Sequence, residues 1–207
     1  MTPLVIAHRG ASWDLPENTL PAFERAIEVG ADFVELDVHA RTNGELVVCH
    51  GPPRRRMRTD LPTLEQVLDL CAGRIGVMVE LKTPYRYRRH AVVPRTLELL
   101  DDEAVVVCFE PLALRLVKRL RPELRVVQHV RTVPLRVAAR YAWAAGFEAR
   151  RATARNIRRA QRLGLETTVY TVNDPTRMRE LAELGVTGIF TDRPDLARRT
   201  LAGPAPA

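Results

Sequence analysis

Short β-branched runs and longer stretches of helical period alternate along the whole chain. Apolar runs at 4–7 (LVIA), 33–38 (FVELDV), 76–81 (GVMVEL), 104–109 (AVVVCF) and 124–130 (LRVVQHV) predict strands. So do 147–150 (FEAR, the least marked), 167–172 (TTVYTV) and 187–192 (TGIFTD). Amphipathic stretches near 19–29, 63–72, 90–100, 110–121, 134–145, 153–163, 175–184 and 194–201 predict the helices between them. Nearly unbroken Val, Ile and Leu runs are the mark of strands covered on both faces, as in a parallel sheet. About eight β-then-α units in 207 residues predict an α/β fold, a closed (β/α)8 TIM barrel rather than an open doubly wound sheet. One domain over 1–202 is expected, with 203–207 (GPAPA) a disordered tail.

Local chemistry fixes several boundaries. Asn18 or Thr19 can cap the first helix and Gly30 can stop it. Thr63 followed by Gln66 has the spacing of a capping box. Asn173-Asp174-Pro175 reads as loop, cap and first helical position. Asn43-Gly44 predicts a type I′ hairpin that returns Glu45–His50 beside the second strand.

Composition narrows the setting. Hydrophobic residues make up 46% and charged residues 28%, enough for a buried core. No run of 18 apolar residues or basic-then-apolar leader is visible, which predicts a cytoplasmic protein without stable membrane insertion. Cys49, Cys71 and Cys108 are odd in number and lack metal spacing, so buried free thiols are expected. The net charge of +7 comes almost wholly from arginine on helix faces, without the interleaved aromatics that read single strands. It points weakly to anionic ligands, and no nucleic-acid partner is expected. Oligomeric state is left open.

In such a barrel the chemistry belongs at the C-terminal strand ends. The first strand ends in His8-Arg9, the second carries Glu35 and Asp37, the hairpin ends in His50, and the third ends in Glu80-Leu81-Lys82. Residues i and i+2 of a strand share a face, so Glu35 and Asp37 converge, as do Glu80 and Lys82. Converging carboxylates repel and need a cation. A salt-bridge cluster with Arg9 and Lys82 meets that need. A hard oxygen-seeking cation held by Glu35, Asp37 and Glu80 meets it too, and three strand ends feeding one mouth favour the metal site. Mg²⁺ or Ca²⁺ fits, with Mn²⁺ as a third option. His8 and His50 flank the cavity and are suited to proton transfer, one as base and one as acid. Arg9 offers a bidentate fork for phosphate and Lys82 a compact charge. The chemistry predicted is metal-assisted phosphoester cleavage. His39 and His90 read as surface residues, while Phe109, His129 and Tyr170 are candidates for a pocket wall.

The ordered set HRG (8–10), PENT (16–19), GAD.VE.DV (30–38), NG.LVV.H (43–50) and E.K (80–82) resembles the glycerophosphodiester phosphodiesterase family. The resemblance runs on through CFEP (108–111), VYTVND (169–174) and LGVTGIFTDRP (184–194), nearly the whole chain. It implies a (β/α)8 barrel that hydrolyses glycerophosphodiesters to an alcohol and glycerol 3-phosphate with a divalent cation. It implies His8 and His50 in the acid/base roles, Glu35, Asp37 and Glu80 as metal ligands, and Arg9 and Lys82 on the phosphate. The substrate implied is a small-molecule or lysolipid phosphodiester. A lysophospholipase D or phospholipase-like lyase releasing a cyclic phosphate is the alternative, and a non-catalytic phosphate-binding barrel a third. The chain departs from the family at His50-Gly51, where the family has His-Asp, so an orienting carboxylate is missing there. Arg54, Arg55 and Arg56 follow in a shortened segment, the usual small insertion is absent after the third strand, and Cys108 and Tyr170 replace Ser and Trp. A more open, more basic mouth is expected.

Overall fold

A computed structural model describes residues 2–52, 61–86 and 91–202. Its strands are β1 (Leu4–His8), β2 (Phe33–Ala40), β3 (Leu46–Val48), β4 (Gly76–Leu81) and β5 (Val105–Cys108). They continue with β6 (Arg125–His129), β7 (Ala144–Glu148), β8 (Glu166–Tyr170) and β9 (Gly188–Thr191). The helices are α1 (Leu20–Glu28), α2 (Leu64–Cys71), α3 (Val92–Leu99), α4 (Pro111–Leu120), α5 (Leu135–Ala138), α6 (Ala154–Gln161), α7 (Pro175–Glu183) and α8 (Pro194–Leu201). All strands except β3 pair in parallel, and β1 pairs with both β2 and β9, closing the (β/α)8 barrel.

Strand alternation assigns the inside and the outside. Ile6, Met78, Val105, Val127, Ala144 and Phe190 are buried together in the barrel interior. Val34, Leu36, Val79, Val106, Val126 and Ala113 belong to the layer between strands and helices on one side, and Val5, Ala145, Val169 and Ile189 to that on the other. The interior phase has a consequence for chemistry. Two residues beyond Ile6, Phe33, Met78, Val127 and Phe190 stand His8, Glu35, Glu80, His129 and Asp192, so the strands that plug the barrel also deliver polar groups to its mouth.

The predicted caps are present. Thr19 accepts from the Ala22 N–H, Thr63 and Gln66 form both capping-box bonds at 3.2 and 2.9 Å, and Asp174 accepts from the Arg177 N–H at 2.7 Å. All three cysteines are buried and free. Three expectations need correction. The hairpin pairs β2 with β3 in the expected place, with His39 opposite Val47, but its turn is not type I′. The Gly44 N–H closes on the Arg41 carbonyl, and Gly44 alone takes a positive φ, of 88°, which is a turn ending in a glycine bulge. The helix expected over 134–145 stops at Ala138, and β7 begins at Ala144, three residues ahead of the strand expected at 147. His39 is buried rather than exposed, because β2 extends to Ala40 and β3 lies against it. His90, Arg54–Arg56 and the tail from 203 lie outside the described residues.

Candidate active site

Glu35, Asp37 and Glu80 come together as expected. One carboxylate oxygen from each lies within 4.8 Å of the others, and all three residues are buried. Parallel register sets this arrangement, since Glu35 pairs with His8, and Asp37 with Glu80. Lys82 Nζ bridges Asp37 Oδ1 at 2.9 Å and Glu80 Oε1 at 2.7 Å. Arg9 Nε faces Asp37 Oδ2 at 3.0 Å, and that oxygen also accepts from Asn18 Nδ2 at 2.9 Å. Both cations are therefore tied to the acids.

Glu35 is treated differently. Among the described residues its carboxylate accepts one hydrogen bond, from the Arg9 backbone N–H at 3.2 Å. Burial, then Asp37, then Glu80, push its carboxyl well above the ordinary range. Burial also lifts Glu80, against the pull of Lys82. For Asp37 burial is outweighed by Lys82 and Arg9, and its net shift is downward. Lys82 is raised, because Glu80 and Asp37 outweigh its own burial. Three carboxylates against two cations leave one negative charge, centred on Glu35. A hard divalent cation with oxygen ligands fits that set.

Backbone strain gathers at this point. Arg9 and Asn18 are non-glycine residues with φ of 59° and 58°, in the left-handed region. Each conformation costs about 1–3 kcal/mol and each turns a polar group onto an acid.

The two histidines flank the triad with different partners. His8 Nδ1 lies 2.7 Å from Asp192 Oδ1. Asp192 is pinned in turn, accepting from Asn173 Nδ2 at 2.6 Å, while Asn173 Oδ1 accepts from the Asp192 N–H at 2.9 Å. Burial works against Asp192, but the bonds from His8 and Asn173 hold its pKa down. An ionised Asp192 fixes the proton of neutral His8 on Nδ1 and leaves Nε2 as a lone pair. His50, with its side chain half exposed, receives Arg9 Nη1 on Nδ1 at 3.0 Å. A guanidinium only donates, so neutral His50 carries its proton on Nε2. Burial and the Arg9 charge lower its pKa. His39 Nε2 donates to the His50 carbonyl at 3.2 Å and fixes that end of the hairpin.

Phe109, His129 and Tyr170 do form a wall, with ring centroids 4.6 Å apart for Phe109–His129 and 4.1 Å for His129–Tyr170. Burial drives the His129 pKa to about 3, so it stays neutral near pH 7. A glycine makes room for it. A Cβ on Gly146 would come 2.3 Å from His129 Nδ1.

Four contributors escape a reading by residue type. Asp192 and Asn173 show only as strand ends, and Asn18 only as a candidate cap. Glu17 accepts from Arg9 Nη1 at 2.6 Å and stands 3.6 Å from His50 Nδ1. Asp192 had one sequence signal, its place two residues beyond Phe190 in the interior phase.

The model of the glycerophosphoryl diester phosphodiesterase family matches residues 8–60 and 53–196. A glycerophosphodiester phosphodiesterase of Bacillus subtilis is 27% identical over 256 aligned residues, covering 97% of this chain and 87% of its own. An uncharacterized protein of the same organism, YqiK, is 30% identical over 239, covering 95% and 98%. A glycerophosphodiester phosphodiesterase from Parabacteroides distasonis superposes with a TM-score of 0.86 at 26% identity, over 99% of both chains. An Oleispira antarctica phosphodiesterase, solved with sn-glycerol-3-phosphate, shares the fold at a TM-score of 0.86 and 21% identity, over 98% of both. Barrel, mouth and relatives together define a phosphoric diester hydrolase. The chain belongs to the glycerophosphodiester phosphodiesterase family.

Proposed function

We propose that this barrel hydrolyses glycerophosphodiesters to an alcohol and glycerol 3-phosphate. The observation that carries the reading is the meeting of the buried Glu35, Asp37 and Glu80 with a carboxylate-backed imidazole, His8, on adjoining strands. A divalent cation held by the three carboxylates, Mg²⁺ or Ca²⁺ with Mn²⁺ as a third option, would neutralise their charge and polarise the phosphoryl oxygens. Arg9 and Lys82, now shared with the acids, lie beside it and can turn to the substrate phosphate.

His8 presents Nε2 to the glycerol hydroxyl that attacks phosphorus. It takes the proton, and Asp192 stabilises the imidazolium that forms. A new P–O bond closes a cyclic phosphate as the bond to the alcohol breaks, and His50 delivers a proton to the leaving oxygen. When Arg9 turns to the phosphate, Glu17 is the carboxylate left to receive the His50 Nδ1 proton. Water then opens the ring with the proton roles reversed, giving the monoester. Phe109 and Tyr170 offer an apolar wall for the substrate.

The test is product release from glycerophosphocholine and glycerophosphoethanolamine, with Mg²⁺, Ca²⁺ or Mn²⁺ and with a chelator. Metal-dependent release of glycerol 3-phosphate is expected. A ³¹P spectrum in which cyclic phosphate accumulates would make the protein a lyase. No turnover of any diester by metal-bound protein would overturn the reading.

A further inference from the structure

The net charge of the molecule is concentrated in one sector. Between Arg131 and Arg162 there are nine arginines and one acid, Glu148, so these 32 residues carry +8 of a chain whose total is +7. The rest of the protein sums to −1. The sector runs from the loop after β6 through α5, β7 and α6, and eight of its arginines lie outside the strands and the site, all exposed: Arg136, Arg140, Arg150, Arg151, Arg155, Arg158, Arg159 and Arg162, of which Arg150 is paired with Glu148.

Helix α6 shows how deliberate the segregation is. Arg155, Arg158, Arg159 and Arg162 follow the i, i+3, i+4, i+7 spacing, so they form one stripe, while Ile157 and Ala160 are buried on the other side. Like charges at that spacing destabilise a helix, and Arg155 in the first turn opposes the macrodipole. No acid in the helix offsets them, and none of the four makes an ion pair with a described residue. The stripe continues upward to the barrel mouth. Arg151 donates to the Arg131 carbonyl at 2.7 Å, and the Arg131 guanidinium lies 5.7 Å from the centre of Phe109, in the pocket wall.

We propose that this face docks the enzyme on an anionic phospholipid bilayer, with the mouth held at the level of the headgroups. The face offers charge and little else. Its two aromatics, Tyr141 and Trp143, are partly buried and covered by Arg115 and Arg125, so neither is free to stack on a base. The amides of Asn156 and Gln161 donate to backbone carbonyls within the fold, so neither is free to read an adenine edge. No apolar residue on the stripe calls for insertion, so attachment is electrostatic and reversible. That the docked barrel draws its diester substrate from the bilayer rests on the function proposed above, whereas the docking itself does not.

Co-sedimentation with vesicles of phosphatidylcholine, with and without phosphatidylglycerol, tests this in chelator, where no turnover occurs. The protein is expected to pellet with the anionic vesicles only and to be released as salt rises. R155Q/R159Q should partition about 25-fold more weakly, about fivefold for each neutralised arginine. Its hydrolysis of soluble diesters should be unchanged, which verifies the fold of the variant. Failure to pellet, equal binding to neutral vesicles, or wild-type binding by the variant would overturn the proposal. Tighter binding to duplex DNA than to the vesicles would do so in favour of nucleic acid. Vesicle binding without diesterase activity would sink only the proposed function, and activity without binding only the docking.

Discussion

His8 and His50 are the same residue type at one barrel mouth, and their neighbours hold them in different tautomers. Asp192 backs the first and Arg9 occupies the second. Asp192→Asn keeps a polar partner for His8 but removes the charge that stabilises its imidazolium. The expected result is a fall in kcat of about 10²- to 10⁴-fold, with metal affinity unchanged; a wild-type kcat would remove His8 from the base role. The second histidine makes a pH prediction. Burial and Arg9 lower the His50 pKa, while Glu17 raises it. A proton donor works below its pKa, so the alkaline limb of kcat/KM belongs below histidine's usual value of about 6.5. Glu17→Gln should move that limb further towards acid, and a shift towards alkali would exclude Glu17 as the carboxylate serving His50. At this scale the sequence was legible where strand period alone decides the outcome, as for Glu35, Asp37 and Glu80. It placed Asp192 at the mouth without naming its partner and was silent on Glu17, because both roles depend on which group lies opposite in space.

The elements show where local preference loses to the barrel. Alanine favours helix, and the alanine-rich stretch from 134 to 145 predicts one. The barrel needs a strand between β6 and β8, so Ala144 and Ala145 are taken into β7, and only four residues of α5 remain helical. The helices with explicit caps, α1, α2 and α7, lie within a residue or two of their expected bounds because the cap chemistry is written in adjacent residues. His39 was misplaced for the opposite reason, since its burial depends on β3 folding back over β2. Within β7, Gly146 is the residue that lets His129 stack between Phe109 and Tyr170. Gly146→Ala should cost about 1–3 kcal/mol by overpacking and lower Tm by about 2–12 °C. Thermal unfolding at wild-type Tm would show that the His129 ring has room to move aside.

Across the whole molecule, the charge left over at Glu35 couples stability to pH and to metal. Its pKa is raised in the folded protein. Such a carboxyl favours the folded state fully below its unfolded value of about 4.3, and that contribution is lost as pH rises towards the folded value. In chelator, Glu35→Gln should therefore gain Tm over wild type, by a margin that grows with pH. A divalent cation at 100 times its Kd should add about 2.7 kcal/mol to wild type, or about 5–10 °C, and nothing comparable to the variant. A wild type whose Tm ignores both metal and the substitution would exclude this site. The closure of the barrel adds one more consequence. His8 lies on the first strand, and Asp192, immediately after the last, is 184 residues away. A chain still emerging from the ribosome carries the residues proposed for metal and phosphate long before the aspartate that orients its proposed base. The proposed base is thus unbacked until the strand that closes the barrel has been synthesised and has docked.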